Sequence, residues 1–330
     1  MQTAIFNSYN RESNPNPIYK STTEIRNEFT WMKEVSHTAV QQKERDFEAY
    51  KKQRFSKNRK KVINNPKFKK RGYNDSFRLS NTTFKLLDNK IQLTKIGKVS
   101  IVKDREIPAD AKFMSVTIKR ESTNEYYASI VVEENIIPKN KTGKTVGIDL
   151  GIKEFYVSSD NIVVGNPKFF RESQSKLKKA QQHLSRKKKG SNRRKKAKLK
   201  VAKIYRTIAR KREHFMHNLT TQLVTDYDVI VIEDLDVAEM LKNHNLAKSI
   251  SDASFYMFRT QLEYKCNWYG KQLKLVDRFE PTSKTCSCCG WYNTDLTLKD
   301  RTFICKNCGL ILDRDYNAAL NIKAVEVNAA

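Results

Sequence analysis

Cys305-Lys306-Asn307-Cys308-Gly309-Leu310-Ile311-Leu312-Asp313-Arg314-Asp315-Tyr316-Asn317-Ala318-Ala319 runs a cysteine knuckle straight into a pair of aspartates. A second knuckle, Cys286-Ser287-Cys288-Cys289-Gly290, precedes it, with 15 residues between Cys289 and Cys305. That spacing lies in the window of a four-cysteine zinc ribbon. Zinc takes four ligands in a tetrahedron, and each knuckle turns tightly enough to offer two thiolates. The glycine after it permits the positive φ of the turn. Spacing favours Cys286, Cys289, Cys305 and Cys308 as ligands of one structural Zn2+, with Cys288 a spare that could replace a neighbour. Five of the six cysteines fall within 23 residues, which does not resemble a disulfide framework.

Three carboxylates stand out around this clip. Asp149 lies inside the apolar run Val146-Gly147-Ile148-Asp149-Leu150-Gly151, Glu233 ends Val229-Ile230-Val231-Ile232-Glu233, and Asp315 follows the second knuckle. An ionised carboxylate in a buried strand is costly unless it is paired or binds a metal. Singly, each is more simply a strand-end acid facing solvent. Together they form a coherent set, since converging carboxylates repel one another and hard divalent cations stabilise them as anions. Two Mg2+ (or Mn2+) ions about 4 Å apart would activate water and stabilise the leaving 3′ oxygen of a phosphodiester. Asp313, Asp234 and Asp236 are read as bystanders. His214 and His217, on a basic helix, read as solvated or phosphate-contacting rather than metal-binding.

Charge points to the partner. The chain carries 64 basic against 36 acidic residues over 330 positions, a net of +28. Two windows hold that whole excess: residues 51–71, with 11 basic and no acidic residues, and 171–214, with 19 basic and 2 acidic. Segregated positive charge of this size is the footprint of a polyphosphate. Candidate nucleic-acid contacts are Lys51, Arg54, Arg59, Lys67, Lys69 and Arg71 in the first window. In the second they are Arg186, Lys187, Arg193, Arg194, Lys195, Arg206, Arg210 and Arg212. No segment approaches the ~18 apolar residues of a membrane span and the start lacks a signal-peptide core, so a cytoplasmic protein is expected.

Periodicity sets the architecture. The first fifty residues read as helical, with a capping box at Ser21 and Glu24 and with Val40, Phe47 and Tyr50 near one face. Between 73 and 133 the period falls to two, which predicts a small antiparallel sheet or barrel built from Ser76–Leu79, Lys90–Leu93, Lys98–Val102, Phe113–Ile118 and Tyr126–Val132. Thr145–Leu150, Phe155–Ser158 and Ile162–Val164 predict a three-stranded meander. The basic segment predicts a helical hairpin broken at Gly190-Ser191-Asn192, with Val201, Ile204, Tyr205 and Ile208 on its apolar face. Asp228–Ile232 reads as a strand buried on both faces, a helix after Ser251 carries Phe255, Phe258, Leu262 and Trp268, and Gln272–Val276 reads as one more strand.

Taken in order, Ile148-Asp149-Leu150-Gly151, Ile232-Glu233-Asp234-Leu235, Ser283-Lys284-Thr285-Cys286, Cys305-Lys306-Asn307-Cys308-Gly309 and Asp313-Arg314-Asp315-Tyr316-Asn317-Ala318-Ala319-Leu320-Asn321-Ile322 resemble the TnpB (OrfB-type) transposon-encoded nucleases, relatives of the type V CRISPR effectors. The resemblance runs from about Lys51 onward. It implies an α/β chain with an RNase H-like (RuvC) nuclease domain, an inserted zinc ribbon, a β-barrel-like wedge domain and a helical recognition region. The corresponding boundaries are 1–72 (recognition), 73–140 (wedge), 141–275 (nuclease, first part), 276–309 (ribbon) and 310–330 (nuclease, last part). It also implies Asp149, Glu233 and Asp315 as the metal-binding triad, a guide RNA from the transposon end, and a double-stranded DNA target cut strand by strand in one site. A monomer carrying its RNA is expected. Family members begin with a short strand and helix that precede the point matched by Met1. A shortened copy is therefore expected, with one barrel edge left unpaired.

Two other functions compete with an RNA-guided DNA endonuclease. A guided DNA binder that no longer cleaves has no use for acids at all three positions. A cut-and-paste transposase orders its acids Asp, Asp, Glu, whereas here the order is Asp, Glu, Asp.

Overall fold

A computed structural model describes residues 22–56, 75–108, 110–297 and 299–327. Met1 to Ser21, including the Ser21 cap, lie outside the described residues. Two units emerge, Met1–Asn135 and Ile136–Ala330.

In the first unit, helices α1 (Thr22–Glu28) and α2 (His37–Phe55) are joined by a 3-10 turn at Thr30–Glu34. Ile25, Met32 and Val40 close their small core. Six strands follow: β1 (Ser76–Ser80), β2 (Phe84–Leu86), β3 (Lys90–Leu93), β4 (Gly97–Ser100), β5 (Lys112–Arg120) and β6 (Tyr126–Glu133). Sequence reasoning predicts one sheet or barrel here; the structure has two antiparallel three-stranded sheets, β1-β5-β6 and β2-β3-β4. The chain turns at Asn81–Thr83 directly after β1, so β2 opens its own hairpin and β1 takes β5 as partner, Leu79 opposite Val116. Both sheets share one core of Leu79, Phe84, Ile91, Leu93 and Val116 with Ala39 of α2. Ile91 and Leu93 are buried while Lys90 and Gln92 are exposed, the alternation of a one-sided strand.

The second unit is built on β7 (Thr145–Leu150), β8 (Glu154–Ser158) and β9 (Val163–Gly165), an antiparallel meander. Helices α3 (Phe169–Ser185) and α4 (Asn192–Asp226) lead to β10 (Val229–Glu233). After α5 (Val237–Met240), α6 (Ala247–Ala253) and α7 (Phe255–Tyr269) comes β11 (Gln272–Val276). Strand order is β9-β8-β7-β10-β11, with β10 parallel to both β7 and β11. One face of the sheet packs Val146, Ile148, Ile230 and Ile232 against Met216 and Val224 of α4 and Phe258 and Leu262 of α7. The opposite face packs Val231 and Val276 against Ile322 of the last helix, α8 (Arg314–Val327). Cover on both faces explains why the centres of β7 and β10 read as apolar runs.

The basic hairpin turns at Gly190, whose φ is +86°, and the Ser191 hydroxyl accepts from the Arg194 N–H to start α4. Leu177, Ala180, Ile204 and Ile208 hold the two helices together. Tyr205, expected on that apolar face, is instead exposed and accepts a bond from Gln181 at 3.0 Å. The helix expected after Ser251 is interrupted by Ser254, whose φ of +59° divides α6 from α7. Among the described residues no helix is long and apolar enough to cross a membrane.

Candidate active site and metal centre

Parallel pairing places two of the acids side by side. Ile232 of β10 stands opposite Ile148 of β7, so Glu233 and Asp149, the next residues, lie at the same C-terminal end of adjacent strands. Neighbouring strands run about 4.8 Å apart.

The third acid arrives on α8, which lies directly over β7. A methyl group added at Gly147 would sit 2.3 Å from the Ala319 carbonyl oxygen and 2.5 Å from the Lys323 nitrogen. Only hydrogen fits, and its absence of bulk brings the helix against the strand that carries Asp149. The two aspartates of Asp313-Arg314-Asp315 have different tasks. The Asp313 carboxylate accepts from the N–H groups of Asp315 (2.9 Å) and Tyr316 (3.1 Å), capping the helix. Asp315, in the first turn of the helix, faces the arginines: Arg314 donates to it at 2.9 Å and Arg301 stands 3.8 Å away.

Electrostatics tie the three together. Burial pushes the Asp149 carboxyl well above the usual carboxylate range, and the charges of Glu233 and then Asp315 raise it further; Arg314 acts the other way. Glu233 accepts from the buried Thr282 hydroxyl at 2.7 Å. Glu233 is thus held by Thr282 and Asp315 by Arg314 and Arg301. Asp234 and Asp236 are otherwise engaged. Arg278 donates to Asp234 at 2.7 Å, Arg259 bonds it too, and both arginines lower its pKa; Asp236 caps α5 and pairs with Arg278 at 3.1 Å.

The ribbon brings Cys286, Cys289, Cys305 and Cys308 together, with Sγ–Sγ distances of 3.7 Å (286 to 308) and 3.6 Å (289 to 305). A tetrahedron with metal–sulfur bonds of ~2.3 Å has edges of about 3.8 Å, so the donor set fits a tetrahedral ion. The knuckles match each other: the N–H of Cys286 donates to Trp291 and that of Cys305 to Leu310, both at 2.8 Å, and Gly290 and Gly309 take φ of +74° and +76°. A bond from the Asn307 amide and one from the Trp291 N–H lower the Cys289 thiol to about 6, whereas burial raises the thiols of Cys286 and Cys308. Cys288 is exposed and outside the cluster.

Ribbon and acids are joined by side chains that the sequence reading passed over. Strands β12 (Thr302–Ile304) and β13 (Ile311–Asp313) pair, and β13 continues into α8 without a linker. Asn317, fully buried, donates to the Thr285 carbonyl (2.8 Å) and accepts from the Ser287 N–H (3.0 Å) in the first knuckle. One turn later Asn321 donates to the carbonyls of Thr282 and Thr285, both at 2.6 Å. Thr282 in turn holds Glu233. The i, i+4 asparagines after Asp315 were the visible signal of this stitch.

The basic candidates divide. Arg59, Lys67, Lys69 and Arg71 lie outside the described residues. Lys51 pairs with Glu48 at 2.5 Å and Arg54 donates to Tyr50 at 3.0 Å. Arg186, Arg193, Lys195 and Arg210 are exposed, while Lys187 and Arg206 are half-buried. Arg194 and Arg212 face inward. Arg194 caps the end of α3 through the Leu184 (2.9 Å) and Lys187 (3.0 Å) carbonyls, and Arg212 pairs with the buried Asp252 at 2.8 Å.

Comparison with known proteins places this arrangement. A family model described as "Probable transposase", the OrfB type of IS605 elements, matches residues 129–244, and a "Cas12f1-like, TNB domain" model matches 255–322. A protein of Streptomyces pristinaespiralis named "Putative RNA-guided DNA endonuclease" is 37% identical over 325 residues, covering 98% of this chain and 79% of that protein. The chain belongs to the TnpB (OrfB-type) family. InsQ of Escherichia coli K12, which bears the same description, is 32% identical over 93% of this chain and 77% of its own length. A mimivirus "TnpB-like protein L79" is 30% identical over 64% of this chain and 43% of its own. A solved Cas12f1–sgRNA–target DNA complex aligns with a TM-score of 0.49 at 18% identity, over 75% of this chain and 59% of that one, and adds nothing to the sequence relatives. In this TnpB-family chain the first model spans Asp149 and Glu233, and the second spans the ribbon and Asp315.

Proposed function

We propose that the chain is an RNA-guided DNA endonuclease whose nuclease domain is RNase H-like (RuvC), with Asp149, Glu233 and Asp315 as its metal-binding acids. The observation that carries the reading is the convergence of these acids on one end of the sheet, close enough that Glu233 and Asp315 both raise Asp149. An antiparallel meander followed by two parallel strands, with acids at the ends of the first and fourth strands, supports the fold assignment. The names of the relatives support guide RNA and target DNA as partners.

Asp149, Glu233 and Asp315 supply the oxygens that would hold a pair of Mg2+ or Mn2+ ions. What such ions bring is an activated water and positive charge at the scissile phosphate and the leaving 3′ oxygen. Asp313 keeps the first turn of α8 formed so that Asp315 projects from an ordered helix end. Thr282 orients Glu233. Cys286, Cys289, Cys305 and Cys308 hold one structural Zn2+, and the exposed lysines and arginines of the hairpin meet nucleic-acid phosphates. Base pairing with the guide supplies sequence choice, while the protein meets backbone.

The test is purification with bound RNA, sequencing of that RNA, and incubation with duplex DNA matching its guide segment in Mg2+. Matching DNA is expected to be cut, and Asp149→Ala to abolish cutting while RNA binding stays unchanged. If no RNA is enriched and matching DNA survives, the reading fails. RNA bound and DNA held without cutting would instead identify a silent binder, and strand transfer of labelled transposon ends a transposase.

A further inference from the structure

A cleft of about 410 Å³ opens beside Glu233, with Leu150, Ile232 and Phe255 at its base and Tyr256, Arg259 and Arg278 among its walls. Phe255 and Phe258 of α7 are buried in the core, yet Tyr256 between them is 71% exposed. An aromatic ring left open to solvent beside a catalytic carboxylate has a planar face to offer.

The charge of the cleft decides what can use that face. Its two guanidinium groups are committed: Arg259 to Asp234 and Glu263, Arg278 to Asp234 and Asp236. Leaving Glu233 to the metal ions, the three carboxylates of Asp234, Asp236 and Glu263 outnumber the two arginines. Such a cavity repels a phosphodiester and accepts a neutral planar group. In a polynucleotide that group is the base, and stacking on an aromatic ring is tolerant of sequence because every base has a π face.

We propose that this cleft seats one unpaired nucleobase of the strand lying at the triad, stacked on Tyr256, with its backbone kept outside against the metal-binding acids. The proposal rests on the nuclease reading above and adds a positioning residue to it. A base already paired has its faces and edge occupied and cannot enter, so the seat selects single-stranded substrate at the cut.

The full chain with its co-purified RNA is mixed, in Ca2+, with single-stranded DNA carrying 2-aminopurine at each position in turn. Quenching is expected at one position, lost in Tyr256→Ala and kept in Tyr256→Phe. Affinity for that strand is expected to fall about 5- to 150-fold in Tyr256→Ala, the worth of one stacked base. An abasic site at the same position should cause a similar loss in the unmodified protein and little further loss in Tyr256→Ala. No position-specific quenching, or quenching that survives Tyr256→Ala, overturns the seat. Because the readout needs no cutting, the two readings separate. Quenching without cleavage in Mg2+ sinks only the nuclease, and cleavage indifferent to Tyr256 sinks only the seat.

Discussion

Replacing Gly147 by alanine tests how Asp315 is placed. The new Cβ would fall 2.3 Å from the Ala319 carbonyl oxygen, 2.5 Å from the Lys323 nitrogen and 2.9 Å from the Lys323 Cβ. Carbon and oxygen approach to about 3.3 Å at closest, so α8 must retreat by roughly 1 Å. All three obstacles belong to one helix, two of them backbone atoms, so no rotamer change relieves the overlap. Nor can α8 slide alone, because Asn317 and Asn321 bind it to Thr282 and Thr285. A misplacement of ~1 Å at a catalytic group is worth about 100-fold in rate, and overpacking of this kind costs about 1–3 kcal/mol. Guided cleavage in Mg2+ is therefore expected to slow about 100-fold, with the melting temperature down by about 3–10 °C. Gly165→Ala is the control, since its Cβ would meet only the Glu154 carboxylate at 3.7 Å. Wild-type cutting and melting in Gly147→Ala would refute the idea that close contact between α8 and β7 sets the position of Asp315.

Three further substitutions probe the frame. Cys305→Ser should lower bound zinc, measured by atomic emission, from one ion per chain to near none, and reduce cleavage at least about tenfold because the ribbon holds Thr282 and Asp315. Asp252→Ala removes the partner of Arg212 and the acceptor for the Phe170 N–H at 3.0 Å. Loss of one side of a buried pair costs about 3 kcal/mol or more, so urea denaturation should shift by that amount, with hydrogen exchange rising first at the start of α3. Lys265 is buried and, among the described residues, pairs with no acid; it donates to the hydroxyls of Thr220 and Thr221 at 2.7 Å and to the His217 carbonyl at 3.0 Å. Burial, with Lys139 nearby, lowers its pKa from 10.5 to about 8. Between those values the unfolded chain holds a proton that the fold does not, so this group makes stability rise with pH across that window, by up to about 3 kcal/mol. Lys265→Met should remove that rise, read as the difference between urea midpoints at pH 7.5 and 9.5; equal slopes in both proteins would contradict it.

What the sequence disclosed followed from periodicity and local chemistry. Thr145–Leu150 and Gln272–Val276 are strands over the expected ranges, and Gly190 breaks the basic hairpin where it was expected to. Those features are legible because β7 is covered on both faces and its centre is apolar, because β11 keeps a short β-branched and leucine pattern, and because glycine adopts the positive φ of Gly190 at little steric cost. The knuckles are legible for the same local reason. Long-range partnerships were not. Gly147 looks like an ordinary strand glycine until α8, more than 160 positions later, is laid across it. Arg212 reads as one more cation among nineteen, and only the helix face it occupies turns it toward Asp252. The two small sheets of the first unit depend on whether β1 pairs with β2 or β5, which alternating apolar residues leave open. Tyr256 was invisible because an exposed ring in a helix has no pattern of its own.

The seam between Asp313 and Arg314 carries one more consequence. Strand becomes helix there with no slack, while Asn317 and Asn321 grip the ribbon from a helix whose roll is fixed at Gly147. Each residue added to or taken from that seam would swing the cysteine module about 100° around the helix axis. Substitutions can accumulate on the outer surface of the module, but the count from Cys308 to Asp315 behaves like the pitch of a screw: changing it by one unthreads the joint.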